Sequence, residues 1–297
     1  MSPWTPIGRQ AAVGLAVIAA GIPPAACGDG GDEVDPYART VTAAPSEPRT
    51  VSADGARELT IAVTESAGRR FRYRTPRTVR AGLIEIRLRN EGTIAHKAQL
   101  WRIAGDHTVA QALRARRPLP TWLRAAGGVA LTEPRTTGTT IQHLGPGRYY
   151  VAGVGNERGK VAQFHVTGGA TSRSPPPAPA RLDAYEYGFR ASALRAGRTS
   201  VDFRNMGGEP HHVYFAPLRA GATLADVREF FAGSKYVGRP PVEEAGIRET
   251  VVLEGGQRQL TELDLRAGRY ALLCFVRNRA GGPPHTKLGM IDRLTIR

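Results

Sequence analysis

The stretches Leu88–Leu100, LRNEGTIAHKAQL, and Phe203–Phe215, FRNMGGEPHHVYF, share an Asn-x-Gly turn and a histidine at matching positions, 115 residues apart. Each is preceded by Arg-Ala-Gly and followed later by Gly-Arg-Tyr, so the chain contains two copies of one unit. Alternating apolar and polar residues in Leu83–Leu88 and Thr199–Arg204 predict half-buried strands that lead into the two turns. Short strands separated by turns, in units of about 110 residues, favour an all-β fold with two tandem β-sandwich domains.

Each unit also contains one short segment with helical character. Thr223 is placed to cap a helix whose apolar residues fall on one face, and Thr108–Ala115 is its counterpart in the first unit. The proline-rich stretch 169–180 predicts a semi-rigid linker between the units. We therefore predict domain 1 at residues 56–168 and domain 2 at residues 181–297.

The N-terminal residues have the features of an export signal. Arg9 precedes the apolar run Ala11–Ala20, which is too short to span a bilayer and is followed by small residues. Residues 1–26 are therefore predicted to be a signal peptide, and Cys27 resembles the acylated cysteine of a bacterial lipoprotein. The acidic stretch 27–55 predicts a flexible tether. We expect a lipoprotein on the extracytoplasmic side of the cell membrane, with a secreted or periplasmic protein as the alternative.

Composition and charge restrict the classes of function that the chain can have. The 297 residues carry 41 Lys and Arg against 26 Asp and Glu, a formal net charge of +15. Such a charge is typical of nucleic-acid binding, but the export signal argues against DNA or RNA as a partner. A hydrophobic fraction of 41% is enough for packed cores, and two cysteines exclude a framework of several disulfides.

Four potential metal donors occur in domain 2. His211 follows the Asn-x-Gly turn, whereas Cys274, His285 and Met290 fall within the 17-residue stretch CFVRNRAGGPPHTKLGM. Two imidazoles and a thiolate, with a weak thioether, are the donors of a type-1 copper site. The alternative is that Cys274 and Met290 are ordinary buried residues of the core.

On these residues the chain resembles the cupredoxin family, whose members are Greek-key β-sandwiches that bind copper. The resemblance covers both repeats. It implies that His211, Cys274 and His285 bind one copper ion in domain 2, with Met290 as the axial ligand. The ten residues between Cys274 and His285 form a longer loop than in most small members of the family. His212 is a possible alternative donor.

Domain 1 provides a comparison within the same chain. It keeps Asn90 and His96, but Gly153 occupies the position that matches Cys274, and no methionine follows. Domain 1 is therefore predicted to bind no copper. Two-domain copper oxidases and nitrite reductases of the same family need a second copper, which is built from His-x-His pairs or a Cys-His step. Neither feature occurs here, where Phe275 follows Cys274, so we do not expect an enzyme.

The sequence thus predicts a lipid-anchored, cupredoxin-like protein that binds one copper ion for electron transfer or copper handling. Its expected partner is a redox or copper-exchange protein of the cell envelope. The alternative is a metal-free sandwich that acts as an envelope adaptor or ligand-binding module. Domain 1 carries most of the excess charge, +12 against +5 in domain 2. Its arginines within residues 69–80 predict a surface that docks on an acidic partner or on anionic lipid. Such docking should weaken as the salt concentration is raised. The alternative is that these arginines form an ordinary solvated surface.

Overall fold

The chain is built mainly from β-strands. The computed structural model describes residues 55–66, 70–116, 118–153, 159–169, 173–232 and 238–297. The predicted signal peptide, the lipidation of Cys27 and nearly all of the predicted tether lie outside these described residues. Among the residues described, no helix is long and apolar enough to cross a bilayer. The predicted all-β, β-sandwich fold class is confirmed.

The first part of the described chain contains strands β1 to β10 and helix α1. Thr108 caps this helix, because its hydroxyl accepts a hydrogen bond from the backbone N–H of Gln111 at 3.1 Å. The elements are β1 (Arg57–Ser66), β2 (Arg70–Arg74), β3 (Thr78–Arg80), β4 (Gly82–Asn90), β5 (His96–Ile103), α1 (Val109–Arg114), β6 (Leu123–Thr132), β7 (Thr137–Leu144), β8 (Gly147–Ala152), β9 (Gly159–Lys160) and β10 (Ala162–Thr167).

The second part contains strands β11 to β20, helix α2 and a 3-10 helix. Thr223 caps α2 as expected, since its hydroxyl accepts from the N–H of Asp226 at 3.2 Å. The elements are β11 (Ala180–Tyr185), β12 (Gly188–Ser192), β13 (Gly197–Asn205), β14 (Tyr214–Pro217), α2 (Leu224–Ala232), β15 (Arg248–Glu249), β16 (Arg258–Leu265), β17 (Gly268–Leu273), β18 (Arg277–Asn278), β19 (Gly281–Pro284), the 3-10 helix (His285–Leu288) and β20 (Ile291–Ile296).

The strands form three larger sheets and one hairpin. A nine-stranded sheet has the order β12-β11-β13-β16-β7-β4-β1-β2-β9, and a five-stranded sheet has the order β3-β10-β8-β5-β6. A four-stranded sheet has the order β15-β14-β17-β20, and β18 pairs with β19. The nine-stranded sheet joins the two parts of the chain where β7 pairs with β16, so that Ile141 lies opposite Leu260.

The hydrophobic core has two main parts, each lying between two sheets. One contains buried residues between Leu59 and Val166, from the nine-stranded and five-stranded sheets. The other contains buried residues between Ala180 and Ile296, from the nine-stranded and four-stranded sheets, together with Ala125. Helix α2 packs on the outer side of the four-stranded sheet. The two sandwiches therefore share one long sheet, which the sequence did not predict.

Strand β4 departs from the predicted half-buried pattern. Leu83 and Glu85, expected on a solvated face, are only 3% and 5% exposed. Leu83 packs in a small apolar cluster with Ile141 of β7 and Leu260 of β16. The prediction of an exposed face is wrong because it treated each sandwich alone, whereas this cluster combines residues from both.

Candidate metal centre

The turn that carries His211 is fixed by two polar side chains. Asn205 accepts a hydrogen bond from the N–H of Gly207 at 3.0 Å, and its amide nitrogen donates to the carbonyl of Glu209 at 2.7 Å. The Glu186 carboxylate accepts from the N–H of Glu209 at 2.8 Å. A Cβ on Gly207 would lie 2.2 Å from this carboxylate, so the close approach requires glycine there. The Asn-x-Gly motif therefore holds the histidine in a defined place.

Three of the predicted donors meet in the second sandwich. Cys274 directly follows β17, His211 follows the turn, and His285 begins the 3-10 helix. The Sγ of Cys274 lies 3.8 Å from Nδ1 of His211 and 3.4 Å from Nδ1 of His285. The two Nδ1 atoms are 3.1 Å apart, and all three side chains are fully buried. Because one donor atom from each residue lies within 4.8 Å of the others, one ion can be bound by all three.

Backbone hydrogen bonds fix these residues relative to one another. His211 exchanges two bonds with Leu253, each 2.9 Å long. The N–H of His285 donates to the carbonyl of Val276 at 2.8 Å, and the N–H of Thr286 donates to that of Cys274 at 2.9 Å. The long Cys-to-His segment thus folds back onto the strand end through the hairpin β18–β19, rather than forming an irregular loop. Backbone hydrogen bonds of the fold therefore fix the donor positions.

The outer nitrogens of the two histidines have acceptors of their own. Nε2 of His285 lies 2.7 Å from the amide oxygen of Asn278, and Nε2 of His211 lies 3.4 Å from the Glu186 carboxylate. These acceptors favour the tautomer with hydrogen on Nε2, which leaves the lone pair of each Nδ1 directed toward Cys274. The Asn278 amide in turn donates to the hydroxyl of Tyr187 at 3.1 Å. This is the outer hydrogen bonding that metal-binding histidines commonly show.

Burial shifts the pKa values of Cys274 and His211. It raises the pKa of the Cys274 thiol to about 12, so the thiol is protonated at neutral pH in the absence of a cation. Burial also lowers the pKa of His211, against the opposing effect of Glu186. A neutral imidazole is the form that binds a metal ion, whereas the thiol would have to release its proton.

The other two predicted residues, Met290 and His212, occupy different positions from the three donors. Met290 is fully buried and belongs to the same apolar cluster as Cys274. His212 is buried as well, but its Nε2 accepts a hydrogen bond from the N–H of Phe275 at 3.0 Å. His212 is therefore not brought into the cluster of donors, and its position favours a role in holding the chain next to Cys274.

In its described residues, domain 1 repeats the turn without the donor cluster. His96 occupies the place of His211, and its Nε2 lies 2.8 Å from the carboxylate of Glu65, the counterpart of Glu186. Nδ1 of His96 is buried without a hydrogen-bond partner among the described residues. Gly153 stands where the second sandwich has its cysteine. The turn and its carboxylate thus form a structural unit that exists independently of metal donors.

Replacing Glu65 with glutamine should destabilise the fold in a pH-dependent way. Burial raises the pKa of Glu65, but hydrogen bonds from Thr93, Ile94 and His96 outweigh it and hold the pKa below the ordinary 4.5. The carboxylate therefore stabilises the fold at neutral pH, and this contribution is lost as the pH falls through the folded-state pKa. We expect the variant to lose about 1–3 kcal/mol of unfolding free energy at neutral pH. The difference from the unmodified chain should shrink below pH 4.5 in urea denaturation.

The matched control is Glu58→Gln, whose side chain is 52% exposed and bridges Arg87 at 3.0 Å. Because exposed ion pairs contribute little, this variant should lose less than about 1 kcal/mol. Equal stability losses for Glu65→Gln above and below pH 4.5 would contradict the account of this carboxylate.

Sequence reasoning missed the residues that support the donors. Glu186 directly follows β11, and its counterpart Glu65 lies at the end of β1, so comparing the repeats for carboxylates would have found both. Asn278 had no such signal in the sequence. Its contact with His285 depends on how the hairpin β18–β19 folds.

No family model and no curated protein matches the chain. Among solved structures, reduced auracyanin from the photosynthetic bacterium Roseiflexus castenholzii is 18% identical, over 39% of this chain and 94% of its own, with a TM-score of 0.25. A multicopper oxidase is 13% identical, over 84% of this chain and 92% of its own, with a TM-score of 0.24. A copper nitrite reductase from Nitrosomonas europaea is 12% identical, over 82% of this chain and 94% of its own, also with a TM-score of 0.24.

Identities of 18% or less and TM-scores of 0.25 or less carry no argument about fold or function. The fold class rests on the strands and sheets of this chain, and the candidate site rests on its His-Cys-His cluster.

Proposed function

We propose that this chain is a cupredoxin-like protein that binds one copper ion through His211, Cys274 and His285. The observation that carries the proposal is the convergence of two Nδ1 atoms and one Sγ in a fully buried cluster. Met290, from the same apolar cluster, is proposed as the weak axial ligand. Cysteine thiolate and imidazole form a donor set typical of a blue-copper electron-transfer site, whereas hard cations prefer oxygen ligands.

The surroundings of the cluster suit a copper ion. Glu186 and Asn278 orient the two imidazoles, and the surrounding apolar side chains exclude water. When bound, copper would supply one-electron exchange between its reduced and oxidised states. The residues of the chain hold the donors in place through backbone hydrogen bonds and dense packing. To bind the metal as a thiolate, Cys274 would have to release its thiol proton.

A carrier function is favoured over catalysis. Across the described ranges, one group of three potential donors converges, and it is the cluster around Cys274. The sequence contains no His-x-His pair, and Phe275 rather than histidine follows Cys274. These features support a protein that takes one electron from a reduced partner and gives it to an oxidised one, or that stores copper for exchange. The partner proposed is another protein of the cell envelope.

We expect the exported protein to carry its copper in the cell envelope. Export is proposed from the apolar run Ala11–Ala20, and anchoring is proposed from Cys27. Protein isolated from the membrane fraction of a bacterium that exports it should contain one copper ion per chain. Protein that is isolated there without metal, and that takes up none when titrated with copper, would instead favour the metal-free adaptor.

A further inference from the structure

Arg279 lies at the tip of the hairpin β18–β19, inside the segment that joins Cys274 to His285. Its guanidinium group leaves the second sandwich and contacts the first. Nη2 of Arg279 donates to the carbonyl of Pro120 at 2.6 Å and to that of Leu123 at 2.9 Å. The segment between the two donors is therefore attached to domain 1.

The backbone of Arg279 strengthens the same attachment. Its carbonyl accepts a hydrogen bond from the N–H of Leu119 in domain 1 at 2.8 Å. Its own N–H donates to the carboxylate of Glu209 at 2.7 Å. Glu209 belongs to the turn that carries His211, so one residue connects domain 1, the Cys-to-His segment and the histidine turn.

Glu254 forms a second connection beside the first. Nη1 of Arg279 donates to Oε1 of Glu254 at 2.7 Å, and the N–H of Ala125 in domain 1 donates to Oε2 at 2.9 Å. Glu254 directly follows Leu253, which exchanges both backbone hydrogen bonds with His211. The carboxylate is thus shared between domain 1 and the chain that supports the His211 backbone.

Domain 1 also holds the residue on the other side of Leu253. The side chain of Gln99 accepts from the N–H of Val252 at 2.8 Å and donates to its carbonyl at 3.1 Å. The N–H of Gly127 donates to the same carbonyl at 3.2 Å. The segment that pairs with His211 therefore lies between His211 and domain 1, with polar contacts to both.

From these contacts we infer that domain 1 is a clamp for the donors of domain 2, and that Arg279 is its principal positioning residue. The effect on copper rests on the proposed function, but the clamp itself is a property of the metal-free chain. Domain 1 thereby keeps His211 and His285 of domain 2 in place beside Cys274.

The chemistry of these contacts explains why arginine suits this position. The Arg279 side chain is 16% exposed and that of Glu254 is 5% exposed, so their hydrogen bonds are largely shielded from water. One planar guanidinium group donates hydrogen bonds to a carboxylate and two carbonyls at once. The single ammonium group of a lysine cannot donate to all three with the same geometry. Removing the Arg279 side chain would leave the hairpin tip attached through its backbone hydrogen bonds but would loosen it, and Glu254 would lose its closest cation.

The test compares Arg279→Ala and Arg279→Lys with the unmodified mature chain. In the metal-free proteins, amide hydrogen exchange is measured at His285 and Thr286, whose N–H groups bond within the donor segment. We expect exchange about tenfold faster or more in Arg279→Ala, because the segment opens locally, and a smaller increase in Arg279→Lys. Amides of β1, on the far side of domain 1, should keep their rates. Copper release to a chelator should also be faster in Arg279→Ala, because the donor segment opens more often.

Arg124→Ala is the matched control. Arg124 also faces Glu254, at 4.0 Å, but its side chain is 52% exposed and makes no hydrogen bond to the donor segment among the described residues. It should change neither exchange nor copper release by more than about twofold. Unchanged exchange at His285 and Thr286 in both Arg279 variants would overturn the clamp, whether or not copper binds. If exchange rises but the unmodified chain binds no copper, the clamp stands and the proposed function fails.

Discussion

Replacing Cys274 with serine should greatly lower the copper affinity of the chain. The loss should far exceed the factor of about 10–100 that is typical when a side chain hydrogen-bonded to a metal ligand is removed. Cys274 supplies the only thiol among the described residues and lies within 3.8 Å of both histidine Nδ1 atoms. A serine hydroxyl is a poor donor for copper, and it loses its proton much less readily than a thiol does. The affinity is measured by competition of the folded variant with a copper chelator.

Gly153→Ala is the control for this experiment, because Gly153 occupies the matching position in domain 1. It should leave copper affinity unchanged. A Cys274→Ser protein that is folded and binds copper as tightly as the unmodified chain would show that the ion, if bound, is held elsewhere.

Replacing Lys97 with methionine should destabilise the protein by about 3–5 kcal/mol, the usual cost of removing one partner from a buried ion pair. Nζ of Lys97 lies 2.6 Å from a carboxylate oxygen of Glu249, and the two side chains are 10% and 11% exposed. The pair joins β5 of the first sandwich to β15 of the second, so the loss also weakens the contact between them. The free energy of unfolding is measured by chemical denaturation.

The double variant Lys97→Met/Glu249→Met should recover most of this loss, since no charge is then left buried without a partner. Arg74→Met is the surface control, because Arg74 pairs with Glu91 while remaining 60% exposed. It should cost less than about 1 kcal/mol. A Lys97→Met variant no less stable than Arg74→Met would contradict the buried pair.

Local patterns in the sequence were enough to predict much of the fold. The Asn-x-Gly turns, the capping threonines Thr108 and Thr223 and the strand ends depend on residues close together in the chain. These features could be predicted because short-range geometry determines them. The grouping of Cys274 with His285, in contrast, was expected from the order of the donors and the family resemblance.

Contacts between the two sandwiches could not be predicted in this way. The pairing of β7 with β16, the burial of Leu83 and the attachment of Arg279 all join residues that are far apart in sequence. The sequence of one repeat does not indicate which face of its sandwich the other repeat covers. For the same reason, Leu83 and Glu85 of β4 were expected on a solvated face although both are buried.

The most direct test of the central claim is the visible absorption spectrum of the purified mature chain after addition of one equivalent of Cu(II). We expect a strong thiolate-to-copper absorption in the visible, because Cys274 and the two imidazoles converge on one buried position. A folded protein that remains colourless and retains no copper after gel filtration would contradict it.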